Sequence, residues 1–152
     1  MDLILWRHAE AEDSLNDLSR KLTEKGHRQA KSSAEFLRKN LPVNIEILVS
    51  PAIRTQQTAK AFSSNFKTMD SLSPGASVSD LLQAAHWPDA NGTVLIVGHQ
   101  PTLGAVAALL LGCEHESLRI KKSSLWWFTK KEGSNEISLK LVISPDLLAN
   151  SL

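Results

Sequence analysis

Leu3-Ile4-Leu5-Trp6-Arg7-His8 is an apolar run of strand length that ends directly in an arginine and a histidine. Buried runs of this kind ordinarily end in Gly, Pro, Asn or Ser. Here the chain leaves the core carrying a fixed cation and a group that can act as base or nucleophile near neutral pH. Two further runs end the same way. Ile45-Glu46-Ile47-Leu48-Val49 stops at Ser50-Pro51, which reads as the N-cap and first residue of a helix running to about Phe66. Arg54 and Thr55 then fall in its first turn, where helical side chains tilt back over the strand end. Thr93-Val94-Leu95-Ile96-Val97 stops at Gly98-His99-Gln100-Pro101 and leads into the apolar helical stretch Leu103 to Leu111. In a largely parallel α/β sheet, ligands bind at the carboxyl ends of the strands. Two arginines, two histidines and helix N-termini converging there describe an anion pocket, most simply for a phosphoryl group.

Outward from these ends, strands and helices alternate without internal repeats. Thr23 reads as the N-cap of a helix to about Asn40, with Ala30, Ala34, Leu37 and Leu41 forming its apolar stripe. A loop from Asp70 to Ser77 precedes a short helix near residues 78–86, which Trp87-Pro88 ends. After Gly112, Ser124–Thr129 and Ile137–Ile143 read as a hairpin around Lys131 to Asn135. Trp126 and Trp127 fall on opposite faces of their strand, one in the core and the other over a sheet edge or helix.

At its strand ends the sequence resembles the histidine phosphatase superfamily. Arg7-His8 is similar to the Arg-His-Gly signature of that superfamily, Ser50-Pro51-Ala52-Ile53-Arg54-Thr55-Gln56-Gln57-Thr58-Ala59 to its second arginine motif, and Gly98-His99 to its second histidine. The short chain, the segment Arg20-Lys21-Leu22-Thr23-x-x-Gly26 and Gly98-His99-Gln100-Pro101 resemble the SixA-type phosphohistidine phosphatases. The resemblance runs from about Leu3 to about Gly112. It implies a three-layer α/β/α sandwich with a mostly parallel central sheet, as in phosphoglycerate mutase. It also implies His8, Arg7, Arg54 and His99 as catalytic residues, with Arg7, Arg54 and Arg20 binding substrate. For Arg20 a solvated loop cation is the other reading. One departure is Ala9, where many members carry Gly; a position needing φ > 0 or close backbone approach would be strained by the extra Cβ.

Chemically, a neutral imidazole at His8 can attack phosphorus in line, provided its other ring nitrogen is held by an acceptor, most simply a backbone carbonyl. The arginines can offer forked donors to the phosphoryl oxygens, and His99 can donate to them, best when protonated. Ester-cleaving members of the superfamily use a carboxylic acid from the region before the second histidine strand. Asp70, Asp80 and Asp89 lie in that region outside any recognisable acid motif. Glu10 or Glu12 could serve as an unusual acid, with Glu10 also readable as a partner orienting an arginine. The gap favours a phosphoramidate, whose leaving nitrogen can be protonated in advance. The expected substrate is therefore phosphohistidine on a histidine phosphotransfer domain or phosphocarrier protein. Small phosphate esters, or phospho-ligand binding without turnover, are the alternatives.

The 152 residues read as one domain, 1–152, with 42% apolar and 22% charged residues and a net charge of +1. That balance demands neither nucleic acid nor an anionic membrane. The N-terminus lacks the pattern of a signal peptide, and the longest apolar stretch is too short to span a membrane. One cysteine suits a reducing cytoplasm. Cys113 to Arg119 has Cys-x5-Arg spacing, but two glutamates occupy the would-be phosphate cradle and no glycine lies inside it. His27, His86 and the loop residue His115 are scattered without metal-ligand spacing, so neither metal nor other cofactor is expected. Residues 20–39 hold seven Lys and Arg against Glu24 and Glu35, a basic face that could dock an acidic partner.

Overall fold

The computed structural model describes residues 1–114 and 116–148, so the reading of His115 lies outside the described residues. Its strands are β1 (Asp2–Arg7), β2 (Ile45–Val49), β3 (Lys67–Thr68), β4 (Thr93–Gly98), β5 (Leu125–Lys130) and β6 (Ile137–Ile143). The helices are α1 (Glu24–Asn40), α2 (Ile53–Lys60), α3 (Val78–Ala84), α4 (Thr102–Leu111) and α5 (Pro145–Leu148). The strands form one sheet in the order β3-β2-β4-β1-β5-β6. The first four are mutually parallel, whereas β5 and β6 are antiparallel additions, with a bulge at Trp127/Phe128. No helix among the described residues is long and apolar enough to cross a membrane.

The twofold alternation of strand side chains sorts the core into two layers. Leu3, Leu5, Leu48, Val94, Ile96 and Phe128 face α3 and α4, meeting Leu81, Leu103 and Val106. Ile4, Trp6, Ile47, Val49, Leu95, Val97 and Trp127 face the other way, against Ala34 and Leu37 of α1 and Ala59 of α2. This is the expected α/β/α sandwich. Each fully buried aliphatic side chain contributes about 1.5–3 kcal/mol relative to exposure. Trp126 packs with the first layer and Trp127 with the second, so the doubled tryptophan serves both faces.

Local chemistry sets the helix ends. Thr23 caps α1 by accepting from Gly26 N, as its sequence position suggests. Ser77 and Asp80 form a capping box on α3. α2 departs from expectation at both ends. It starts at Ile53, with Ala52 rather than Ser50 at the cap position. Thr55 Oγ1 and Gln56 Nε2 reach back to the Ser50 carbonyl, while the Ser50 hydroxyl accepts from Ala52 N. The helix stops at Lys60 rather than near Phe66. Its last bonds tighten to i→i−3 at Ala61 and Phe62, and Ser63 Oγ takes the Asn65 N–H, offering the backbone a turn in place of helix.

The start of α1 is pressed against the chain leaving β1. An added Cβ on Gly26 would lie 2.0 Å from the Glu10 carbonyl oxygen, whereas one on Gly98 would meet Leu103 at 3.5 Å. Gly26→Ala should therefore cost about 1–3 kcal/mol in urea unfolding, while Gly98→Ala should leave stability close to wild type. Equal stabilities for the two variants would contradict this packing.

Candidate active site

Arg7 pairs with Gly98 in the parallel β1–β4 ladder. His8 and His99 are therefore the next residues out on adjacent strands, and their ring centroids lie 5.4 Å apart. Val49 pairs with Val97 on the other side of β4, so Ser50 emerges at the same edge. α2 starts three residues later and carries Arg54 to this point, only 4% exposed. Thus Arg7, His8, Arg54 and His99 converge where the sequence places the anion pocket.

Three backbone clamps hold the His8 turn. Ser123, in a left-handed conformation with φ 57°, donates its N–H to the carbonyls of both Arg7 and His8. Its hydroxyl accepts from Trp6 Nε1, and Ser33 Oγ donates to its carbonyl. Thr58 of α2 accepts from Ala9 N and donates to the Arg54 carbonyl, which couples the His8 turn to the helix bearing Arg54. Arg7 Nη1 donates to the Ile120 carbonyl. None of Ser123, Ser33 or Thr58 stands out in the sequence as a site residue. Ala9 is fully buried with Leu22 and Ala30, and among the described residues the non-glycine positions with positive φ are His86 and Ser123. Its methyl group is accommodated without strain.

The imidazoles are tuned by these contacts. His8 Nδ1 lies 2.7 Å from the Ala9 carbonyl. A carbonyl can only accept, so Nδ1 carries the proton and Nε2 keeps the lone pair. Burial, opposed by this bond and reinforced by Arg54, Arg7 and Arg20, pushes the His8 pKa from 6.5 down to about 4. Burial first, then Arg54, His8 and Arg7, lowers His99 to about 3 against a smaller opposing effect of Asp17. His99 is thus neutral near pH 7, so the protonated form in which it would donate best is not its resting form. Its Nε2 lies 2.7 Å from Ser50 Oγ, which itself accepts from Ala52 N. A serine hydroxyl can donate as well as accept, so the Ser50 proton can satisfy Nε2 in the tautomer that carries Nδ1–H as a free donor.

Asp17, on a 3₁₀ turn of the loop between β1 and α1, is the anion nearest this cluster that the sequence does not single out. Arg54 Nη2 donates to its carboxylate at 3.0 Å and Nη1 to its backbone carbonyl at 2.8 Å. The Arg54 hydrogen bond holds the Asp17 carboxyl below the ordinary range, so it has no proton to give. Arg20 meets the same carboxylate at 3.5 Å and donates Nε to the Glu12 carbonyl. It is therefore a tethered rim residue, not a free solvated cation. Glu10 does not orient an arginine: it accepts from Thr23 Oγ1, while its backbone N–H donates to Gln29. Asp80 is committed to its capping box. Arg7 Nε, Arg54 Nε and His99 Nδ1 are buried without a hydrogen-bond partner among the described residues. Unpaired donors of this kind cost about 1–3 kcal/mol each and call for an acceptor that a ligand can supply.

Residues 3–76 match the histidine phosphatase superfamily (branch 1). A phosphohistidine phosphatase SixA homologue from Haemophilus influenzae is 33% identical over 129 residues, covering 74% of this chain and 78% of its own. The chain belongs to the histidine phosphatase superfamily. It is SixA-like and a hydrolase of that family. Its fold matches the protein histidine phosphatase SixA in complex with tungstate at a TM-score of 0.82, with 25% identity over 97% of this chain and 99% of that one. It also matches a variant of a phosphoserine phosphatase from Entamoeba histolytica in complex with phosphoserine, at a TM-score of 0.74 and 18% identity over 97% and 98% of the two chains. The second likeness extends to the fold alone.

The depressed histidine pKa values carry a signature in stability. Between pH 7 and 5 the unfolded chain, with imidazoles near 6.5, takes up protons that folded His8 and His99 refuse. Stability should fall over this window by about 2 kcal/mol per imidazole. His99→Gln should flatten the pH dependence of urea unfolding by about that amount. An unchanged slope would mean that His99 titrates normally.

Proposed function

We propose that the protein hydrolyses phosphohistidine on a protein, either a histidine phosphotransfer domain or a phosphocarrier, through a covalent phosphoryl-His8 intermediate. The observation that carries this reading is His8 itself, neutral, with Nδ1–H held by the Ala9 carbonyl and Nε2 unprotonated beside two arginines. Nε2 attacks phosphorus in line as the P–N bond to the substrate imidazole breaks. That imidazole, already protonated on its other ring nitrogen, keeps the P–N bonding pair on the leaving nitrogen and departs neutral. Water then attacks the phosphoryl group on His8 and passes a proton to a phosphoryl oxygen as the Nε2–P bond breaks, which releases inorganic phosphate and returns the lone pair to Nε2. Arg7, Arg54 and His99 Nδ1–H donate to the phosphoryl oxygens, where charge is spread in the transition state. Arg20 guards the rim and steadies Asp17 against Arg54.

The carboxylates favour phosphohistidine over esters. Asp17 is held ionised by Arg54, Glu10 is bound to Thr23, and Asp80 caps α3. An alkoxide leaving group would need a carboxylic acid as proton donor, and with these three committed elsewhere Glu12 is the remaining candidate. Small phosphate esters are the competing reading, because the same nucleophile and arginines would serve them if an acid were present.

His8→Ala should abolish turnover of phosphohistidine protein with the fold intact by circular dichroism, and labelled phosphate should be trapped on His8 in wild type. Label on Cys113 would overturn the assignment. Arg54→Ala should lower kcat/KM by roughly 100-fold or more, as for loss of one transition-state donor. Arg54→Lys should recover only part, because a point charge cannot reproduce the fork. Phosphohistidine protein should be turned over far faster than phosphoserine or phosphoglycerate, with EDTA without effect. A faster alkyl ester would establish the competing reading.

A further inference from the structure

Beside the phosphoryl site, a groove of about 760 Å³ runs between α1, the segment before β5 and the start of α5, and Arg7 lines it as well as the site. α1 contributes Lys25, Arg28 and Lys31, spaced at three residues and so on one stripe, opposite Arg119, Lys121 and Lys122. Seven cations against the single carboxylate of Asp146 give the groove a net charge of +6, on a chain whose total is only +1. Among the described residues none of the seven is in an ion pair. Burial and then the Arg119 charge push the Arg7 guanidinium below its ordinary value. Like charges gathered this way repel one another, which disfavours the compact state unless something anionic faces them.

Resting on the phosphohistidine reading, we propose that this groove seats an acidic segment of the substrate protein next to its phosphohistidine. Apart from half-buried Arg7, every cation here is exposed, and they are spread over α1 and the segment facing it. A site for a small polyphosphate would instead gather buried donors or backbone N–H groups on one point. Exposed cations along a groove suit a row of carboxylates, which they attract at long range and align by register. Because Arg7 belongs to both places, a carboxylate-rich segment seated in the groove delivers its neighbouring phosphohistidine to His8.

The test compares two synthetic peptides carrying the same phosphohistidine, one flanked by glutamates and the other by glutamines, with free phosphoramidate as the small substrate. For wild type at low ionic strength, kcat/KM for the glutamate peptide should exceed that for the glutamine peptide by about tenfold or more, mainly through KM. High salt should shrink this preference. Arg28→Glu/Lys121→Glu/Lys122→Glu should erase it while phosphoramidate hydrolysis stays within about twofold of wild type. Lys121→Gln/Lys122→Gln, a milder pair, should reduce it partway. Equal turnover of the two peptides, or a preference that survives charge reversal, would overturn the groove while intact phosphoramidate hydrolysis leaves the phosphohistidine reading standing. Failure of wild type on phosphoramidate and on both peptides would remove that reading and the groove with it. Equal peptides combined with inhibition by inorganic tripolyphosphate that charge reversal relieves would reassign the groove to small polyanions.

Discussion

Arg7 stands opposite Gly98 in the parallel pairing of β1 and β4, and the rest of the site depends on that register. It brings His8 and His99 to adjacent strand ends. It also keeps Leu3 and Leu5 on the α3–α4 face while Ile4 and Trp6 meet α1 and α2. A slip of one residue would turn both apolar sets the wrong way, so the hydrophobic layers lock the geometry of the polar edge. The core fixes where the strands end, and hydrogen bonds from Ser123 and Thr58 fix how the chain turns after them.

The polar edge is not arranged for stability. Two buried imidazoles lie beside two guanidiniums, and unpaired nitrogens remain on Arg7, Arg54 and His99. Such groups stay in a folded protein only where surrounding structure outweighs their cost. The same strain has a chemical use. Burial, reinforced by the cationic neighbours, keeps His8 unprotonated, and an unprotonated Nε2 is what attack on phosphorus requires. Asp17 balances Arg54 from the surface and is itself 56% exposed. An exposed counterion on a short turn can yield to an incoming phosphoryl group at small cost, whereas a buried one would leave a desolvated charge behind.

What was legible in the sequence was whatever rests on periodicity or on short-range hydrogen bonding. The apolar runs marked the strands, Thr23 marked its helix, and Trp126-Trp127 divided between the two faces. Ser50 misled because a serine before proline has the local chemistry of a cap, while the competing partner, His99, lies far along the chain. The α2 terminus failed for a similar reason: Ser63 supplies a turn where the apolar spacing still fits helix. Ser123 and Asp17 were invisible as site residues. One acts through a left-handed backbone conformation that serine rarely signals, and the other through a contact with Arg54 across a loop. The basic face of α1 was readable, but its facing wall, Lys121 and Lys122, belongs to a distant segment that only folding brings opposite.

The fold does not by itself select the leaving group, since a similar fold serves a phosphoserine phosphatase. Selection rests on where the protons are. In this site Nδ1–H of His8 is tied to a carbonyl and Asp17 is ionised by Arg54. The neutral His99 can donate a hydrogen bond, but full transfer of its proton would leave an imidazolate. An alkoxide would therefore leave unprotonated into a desolvated pocket, at a barrier that arginine donors to the phosphoryl oxygens do not lower. A phosphoimidazole brings its own proton on the ring nitrogen away from phosphorus, so the leaving ring departs neutral and the donors need stabilise only the transferring group. On the proposed phosphohistidine reading, the arrangement of charges places the discrimination in the substrate's basicity.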